Sequence, residues 1–130
     1  MPCTILVVDD HPVTREPLAR LLRYEGFEAR CAANGVEALD LLAESAADLI
    51  LLDVVMPKMN GVDFLQNVRD DPRWRSIPVI ALTGCMEPNL FARLKNLGVA
   101  EVMSKARFTV DELMDRVRVH VACGAEPGAS

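Results

Sequence analysis

Five side chains able to do chemistry stand at the ends of short apolar runs. Asp9 and Asp10 follow Ile5-Leu6-Val7-Val8, Asp53 follows Leu49-Ile50-Leu51-Leu52, Thr83 follows Ile77 to Leu82, and Lys105 closely follows Val99 to Met103. Three carboxylates brought together repel one another unless a cation compensates. An oxygen-only ligand set suits a hard divalent cation, and Mg²⁺ in particular keeps several waters and takes one or two carboxylates plus phosphate oxygens. Lys105 is then a point charge for a second anion, and Thr83 a hydrogen-bond donor to it. Phosphoryl transfer needs little more than an in-line nucleophile, a metal and donors for the equatorial oxygens. Asp53 is the central candidate for that nucleophile.

The elements that must position these groups are legible in the pattern. Leu49 to Leu52 is too short for a typical helix and unbroken by polar residues, as expected of a central strand covered on both faces of a parallel sheet. Val13 to Tyr24 reads as a helix burying Val13, Leu18, Leu21 and Leu22, with Pro12 and Pro17 at its start; Pro17 is tolerable only in the first turn. Gly26 stops it, and Phe27 to Ala32 is a second strand. Asn34 with Glu37 three places on predicts a capped helix carrying Leu39 and Leu42. Asn60-Gly61 turns into a helix with Val62, Leu65 and Val68 on one side, and Trp74 in the polar stretch behind it is expected to cover the core edge. Pro88 opens a fourth helix with Leu90, Leu94 and Leu97 inward, closed by Gly98. Thr109 with Glu112 forms a capping box before a helix whose face carries Val110, Leu113, Met114, Val117 and Val121.

Strands alternating with helices predict an α/β fold with right-handed crossovers. The expected form is flavodoxin-like, a (βα)5 doubly wound parallel five-stranded sheet of order 2-1-3-4-5 with helices on both faces. In that order the first and third strands are neighbours where the winding reverses, and a crevice opens at their carboxyl ends. The five polar strand ends would meet there.

The 130 residues form one domain, and residues 124–130 have nothing to bury, so a domain over 1–123 and a disordered tail or truncated linker are expected. A net charge of -5 argues against non-specific binding to nucleic acid or an anionic membrane. The apolar runs are too short to span a bilayer, and Met1-Pro2-Cys3-Thr4 lacks an export signal, so the expected location is cytoplasmic. Cys3, Cys31, Cys85 and Cys123 lie far apart without a CxxC pair and read as free thiols. His11, beside Pro12, reads as solvent-facing or partner-contacting rather than chemical.

These residues carry a resemblance. Val7-Val8-Asp9-Asp10-His11-Pro12, Leu51-Leu52-Asp53 through Met56-Pro57-Lys58-Met59-Asn60-Gly61, Ala81-Leu82-Thr83-Gly84 and Lys105 resemble the receiver domain of bacterial two-component response regulators from residue 4 to 122. The resemblance implies that Asp53 accepts a phosphoryl group from a sensor histidine kinase or histidine phosphotransfer protein. It further implies that Asp10, Asp53 and the backbone carbonyl of Val55 bind Mg²⁺, with Asp9 acting largely through water. Thr83 and Lys105 would hold the phosphoryl oxygens and signal through the face of the fourth helix, fifth strand and fifth helix to a downstream effector protein or domain, with a phosphorylation-dependent dimer as one outcome. Such a module is not an enzyme beyond Mg²⁺-dependent self-phosphorylation and slow self-dephosphorylation.

The pattern departs from the family at three places. Val102 stands where an aromatic switch residue is usual, so the Thr83 shift would couple to another group such as Phe91 or Phe108. Ala106 replaces the usual proline, which makes a cis peptide there improbable. Val55 and Cys85 occupy the positions that tune dephosphorylation, and neither readily orients an attacking water, so a long-lived phosphoryl group is expected. Two alternatives stand beside this reading. A haloacid-dehalogenase-like phosphatase would carry a second aspartate two residues after Asp53, where Val55 stands. A phosphorylation-independent interaction domain would not need the acidic pair, Thr83 and Lys105 together. No DNA-binding element is visible in the chain, and no contact with nucleic acid or membrane is expected.

Overall fold

The computed structural model describes residues 3–54, 61–84, 87–105, 107 and 109–121. Five strands, β1 (Thr4–Val8), β2 (Glu28–Ala32), β3 (Leu49–Asp53), β4 (Val79–Thr83) and β5 (Glu101–Ser104), alternate with five helices. These are α1 (Pro12–Tyr24), α2 (Gly35–Glu44), α3 (Gly61–Asp70), α4 (Pro88–Asn96) and α5 (Val110–His120). The sheet is parallel throughout and runs β2-β1-β3-β4-β5, the predicted order.

Alternate residues of each strand face opposite layers, and two cores follow from that. Leu6, Val8, Ile50, Leu52, Val79 and Ala81 pack beneath α2, α3 and α4. Ile5, Val7, Leu49, Leu51, Ile80 and Leu82 pack beneath α1 and α5. Every residue of β3 and β4 is buried, as a central strand pair covered on both faces requires. Phe64 of α3 is fully buried, and truncating such a ring to alanine costs roughly 3–5 kcal/mol. Trp74 is buried at the edge of the α2–α3–α4 core, as expected.

The predicted caps are present. Asn34 Oδ1 accepts the Glu37 N–H at 2.9 Å while Glu37 returns a bond to the Ala33 N–H, and Thr109 with Glu112 closes a capping box on α5. Gly26 and Gly98 have the positive φ that chain reversal behind α1 and α4 requires.

Four expectations are corrected. Val13 is 85% exposed: it lies nine residues before the buried Leu22, roughly half a revolution out of phase at ~100° per residue. Val110 is 51% exposed, because it is the first residue of α5 and projects past the layer that buries Leu113, Met114 and Val117. Pro17 lies in the interior of α1 rather than its first turn, since Pro12 already begins the helix. Cys3 is disulfide-bonded rather than a free thiol, whereas Cys31 is free, with its thiol pKa raised by burial and by the nearby Glu16 charge.

Beyond the corrected Val13, the inward face of α1 consists of Leu18, Ala19 and Leu22. In α4 only Leu94 is buried, with Leu90 and Leu97 packed at the core edge. Arg69 of α3 ties this region down with four backbone carbonyls: Nε donates to Leu97 at 2.7 Å, Nη1 to Arg75 and Ile77, and Nη2 to Gly98. Burial lowers its guanidinium pKa.

Candidate functional site

The carboxyl ends of β1, β3, β4 and β5 bring the predicted residues to one edge. Register aligns Val8 with Leu52, Asp53 with Leu82 and Thr83 with Ser104, so the strands terminate at one level. Asp9 and Asp10 leave β1 there, and the Asp9 N–H donates to Ala32 O at 3.1 Å, keeping the first residue after the strand in line with β2. The Lys105 N–H donates to Thr83 O at 2.9 Å and extends the β4–β5 alignment one residue past β5.

Lys105 Nζ stands 3.0 Å from Asp53 Oδ2 and 3.2 Å from Asp9 Oδ2. Asp9, Asp53 and Thr83 are each at most 3% exposed. Burial alone would depress the Lys105 ammonium, but its hydrogen bond and attraction to Asp53, with Asp9 adding, raise its pKa on balance. Asp9 Oδ1 accepts the His11 N–H at 2.9 Å, and Arg15 Nη1 donates to Asp9 O at 2.9 Å, so the β1–α1 turn is fixed from both sides.

The donor chemistry fits a cation. Asp9 Oδ2 and Asp10 Oδ1 are buried without a hydrogen-bond partner, although Lys105 Nζ and His11 Nδ1 lie within ion-pair distance of them. Buried carboxylate oxygens with unused lone pairs are ordinarily satisfied by a donor or a metal. One ligand atom from each of Asp9, Asp10, His11 and Asp53 lies within 4.8 Å of the others, so the acidic cluster is able to hold a metal ion.

Gly61 is a positional requirement that its turn signal only partly revealed. A Cβ built on it would lie 2.5 Å from Val54 Cα and 3.0 Å from Asp53 O, and its N–H donates to Val54 O at 2.7 Å. The start of α3 therefore rests directly on the strand end that carries Asp53. Around Gly84, by contrast, the space where a Cβ would sit is open.

Among the departures, Val102 is partly buried and packs against the α2–α3–α4 core. Phe91 is 40% exposed on α4, with Lys95 Nζ 5.6 Å from its ring centroid. Val55, Cys85, Ala106 and Phe108 lie outside the described residues. His11 is the member of the cluster that sequence reasoning set aside, because the direction of its ring follows from the β1–α1 turn rather than from residue type.

A doubly wound parallel sheet with a buried aspartate, an acidic pair and a lysine at its carboxyl edge defines a class of signalling domain. The response regulator receiver domain model matches residues 5–118, and the chain belongs to that family, the receiver domains of two-component response regulators. It is similar to the response regulator MprA of Mycobacterium sp. (strain KMS), 37% identical over 123 residues that make up 91% of this chain and 50% of that protein. It is also similar to the polar-differentiation response regulator DivK of Brucella anthropi, 33% identical over 105 residues, 81% of this chain and 85% of that protein. The crystallised chemotaxis protein CheY4 of Vibrio cholerae superposes with a TM-score of 0.87 at 28% identity, covering 93% of this chain and 100% of that one. The chain thus spans about half the length of the mycobacterial relatives it matches. No helix among the described residues is long and apolar enough to cross a membrane.

Proposed function

We propose that this receiver accepts a phosphoryl group on Asp53 from a phosphohistidine of a sensor histidine kinase or histidine phosphotransfer protein. The observation that carries the reading is a buried carboxylate at a strand end, 3.0 Å from Lys105 Nζ and beside two further aspartates. A carboxylate oxygen of Asp53 attacks phosphorus in line: the O–P bond forms, the P–N bond breaks, and its electron pair stays on the departing imidazole nitrogen. The Lys105 ammonium then turns from the carboxylate and donates to a phosphoryl oxygen, and the Thr83 hydroxyl donates to another. Asp10, Asp53 and the Val55 carbonyl would hold Mg²⁺, with Asp9 acting largely through water. When bound, the ion supplies neutralisation of the negative charge shared by donor phosphate and acceptor carboxylate.

Two surfaces suit the partners. Val13, Pro17, Leu21 and Val110 line an exposed apolar groove between α1 and the start of α5, a surface of the kind that takes a protein partner. On this reading the α4–β5–α5 face carries the signal to a downstream effector or a phosphorylation-dependent second copy, and its α4 is anchored by Leu94 alone among fully buried residues. The reading places the receiver unit at 1–123, residues 124–130 as tail or linker, and the protein in the cytoplasm with the kinase's phosphodonor side; this chain touches neither nucleic acid nor membrane.

Incubation with acetyl phosphate and Mg²⁺, followed by intact mass, tests the reading. One phosphate should add to the wild type, and none to Asp53→Asn or to wild type with chelator. Val55 and Cys85 are poor at orienting a water, so the adduct should persist for minutes or longer; decay within seconds at neutral pH contradicts that part.

A further inference from the structure

We propose that His11 is an additional protein ligand of the acidic site, through Nδ1, and that it biases the site toward borderline transition cations such as Zn²⁺ over Mg²⁺. The inference rests on the reading of this strand edge as a divalent-cation site, and deepens it. His11 is the N-cap residue of α1, yet its side chain makes no capping bond. The ring turns back on the crevice instead, with Nδ1 3.1 Å from Asp10 Oδ1 and 3.6 Å from Asp9 Oδ1.

The ring is carried on a backbone fixed before any ion arrives. The His11 N–H is bonded to Asp9 Oδ1 at 2.9 Å, its carbonyl accepts from Thr14 and Arg15, and Pro12 follows. The independent sign of a ligand is the Asp9 side chain, 2% exposed, whose Oδ2 has no hydrogen-bond partner despite Lys105 at 3.2 Å. Its neighbour Asp10 Oδ1, which faces the His11 ring, is likewise without one. A spacing within 4.8 Å among the four donor atoms closes onto one ion with bonds of ~2.0–2.2 Å after small side-chain movements.

The consequence for selectivity follows from ligand type. Imidazole nitrogen adds little for Mg²⁺, which prefers oxygen and retains its waters, but suits Zn²⁺, Co²⁺ and Ni²⁺. Oxygen donors alone form a hard site; the same oxygens joined by an imidazole form a borderline one. The other histidine, His120, is engaged 2.9 Å from Glu101 at the far end of α5.

The test uses the full chain without a polyhistidine tag, titrated calorimetrically with Mg²⁺ alone and with Zn²⁺ alone. Ring ¹⁵N resonances of the two histidines are followed alongside. Zn²⁺ should shift the His11 ring nitrogens and leave those of His120 in place. His11→Ala should weaken Zn²⁺ on the order of tenfold and change Mg²⁺ affinity less than about twofold, whereas Asp10→Asn should weaken both. An unshifted His11 ring under saturating Zn²⁺, or an unchanged Zn²⁺-to-Mg²⁺ affinity ratio in His11→Ala, overturns the inference while Mg²⁺ binding leaves the site itself intact. Wild type that binds no Mg²⁺ overturns the underlying site, and this inference with it.

Discussion

The contact between Gly61 and the end of β3 shows how tightly single residues are specified around Asp53. With Val54 Cα 2.5 Å from where a Cβ would lie, Gly61→Ala has to push α3 off the strand or tilt the Asp53–Val54 peptide. We expect that variant to lose roughly 1–3 kcal/mol of stability, as overpacking against backbone does, and to accept phosphate poorly even where folded. Denaturant unfolding and phosphorylation rate measured together check both halves, and a variant with wild-type stability contradicts the close approach. At this scale most of the site was legible: Asp9, Asp10, Asp53, Thr83 and Lys105 stand out because each is a polar residue ending an apolar run. His11 was not, since its spacing matched no ligand pattern and only the turn built by the Asp9 carboxylate aims its ring. The Gly61 requirement was visible as a turn, but not as a collision with the backbone of Val54 just past the end of β3.

Among the elements, α1 carries the clearest departure from helical preference. Pro17 in its interior cannot donate to Val13 O, and Val13 lies on the exposed side of the helix with Pro17 only partly buried. Pro17→Ala should therefore stabilise the protein by about 1–3 kcal/mol, up to the full ~3 kcal/mol penalty of an interior proline, since an exposed site gives solvent access to the unpaired group. A melting temperature unchanged or lowered in that variant contradicts this account of α1. The β5–α5 junction makes a second prediction. Glu101 is held below its ordinary pKa of 4.5 by a hydrogen bond from His120, with Arg116 assisting. A carboxyl depressed on folding contributes stability above its unfolded pKa and loses it as pH falls through the folded one. Wild type should thus lose stability relative to Glu101→Gln as pH drops from about 5 to below 4, and parallel pH profiles would contradict it. Both elements were predicted, yet Val13 and Val110 were placed inward, because an apolar residue near a helix start fits the pattern whether or not the neighbouring layer reaches it.

For the whole molecule, the order β2-β1-β3-β4-β5 makes chemistry possible by placing β1 and β3 side by side where the winding reverses. Alternating strands and helices dictated a parallel sheet, and the unbroken apolar runs that end in Asp53 and Thr83 dictated its centre. The relative depth of the helices was not legible. Their faces carry similar residues, but only packing decides that α3 buries five residues and α4 only Leu94. That asymmetry leaves β3, which carries Asp53, firmly held and α4 lightly anchored, the arrangement needed if charge placed on Asp53 is to be felt at the α4–β5–α5 surface.

The central claim is that Asp53 itself takes the phosphoryl group. An aspartyl phosphate is an acyl phosphate, which borohydride reduces to the alcohol, leaving homoserine in place of aspartate. Wild type treated with acetyl phosphate and Mg²⁺, reduced and then sequenced by peptide mass spectrometry should carry homoserine at position 53 and at no other aspartate. Homoserine elsewhere, or none in a protein shown to be folded, would contradict the account.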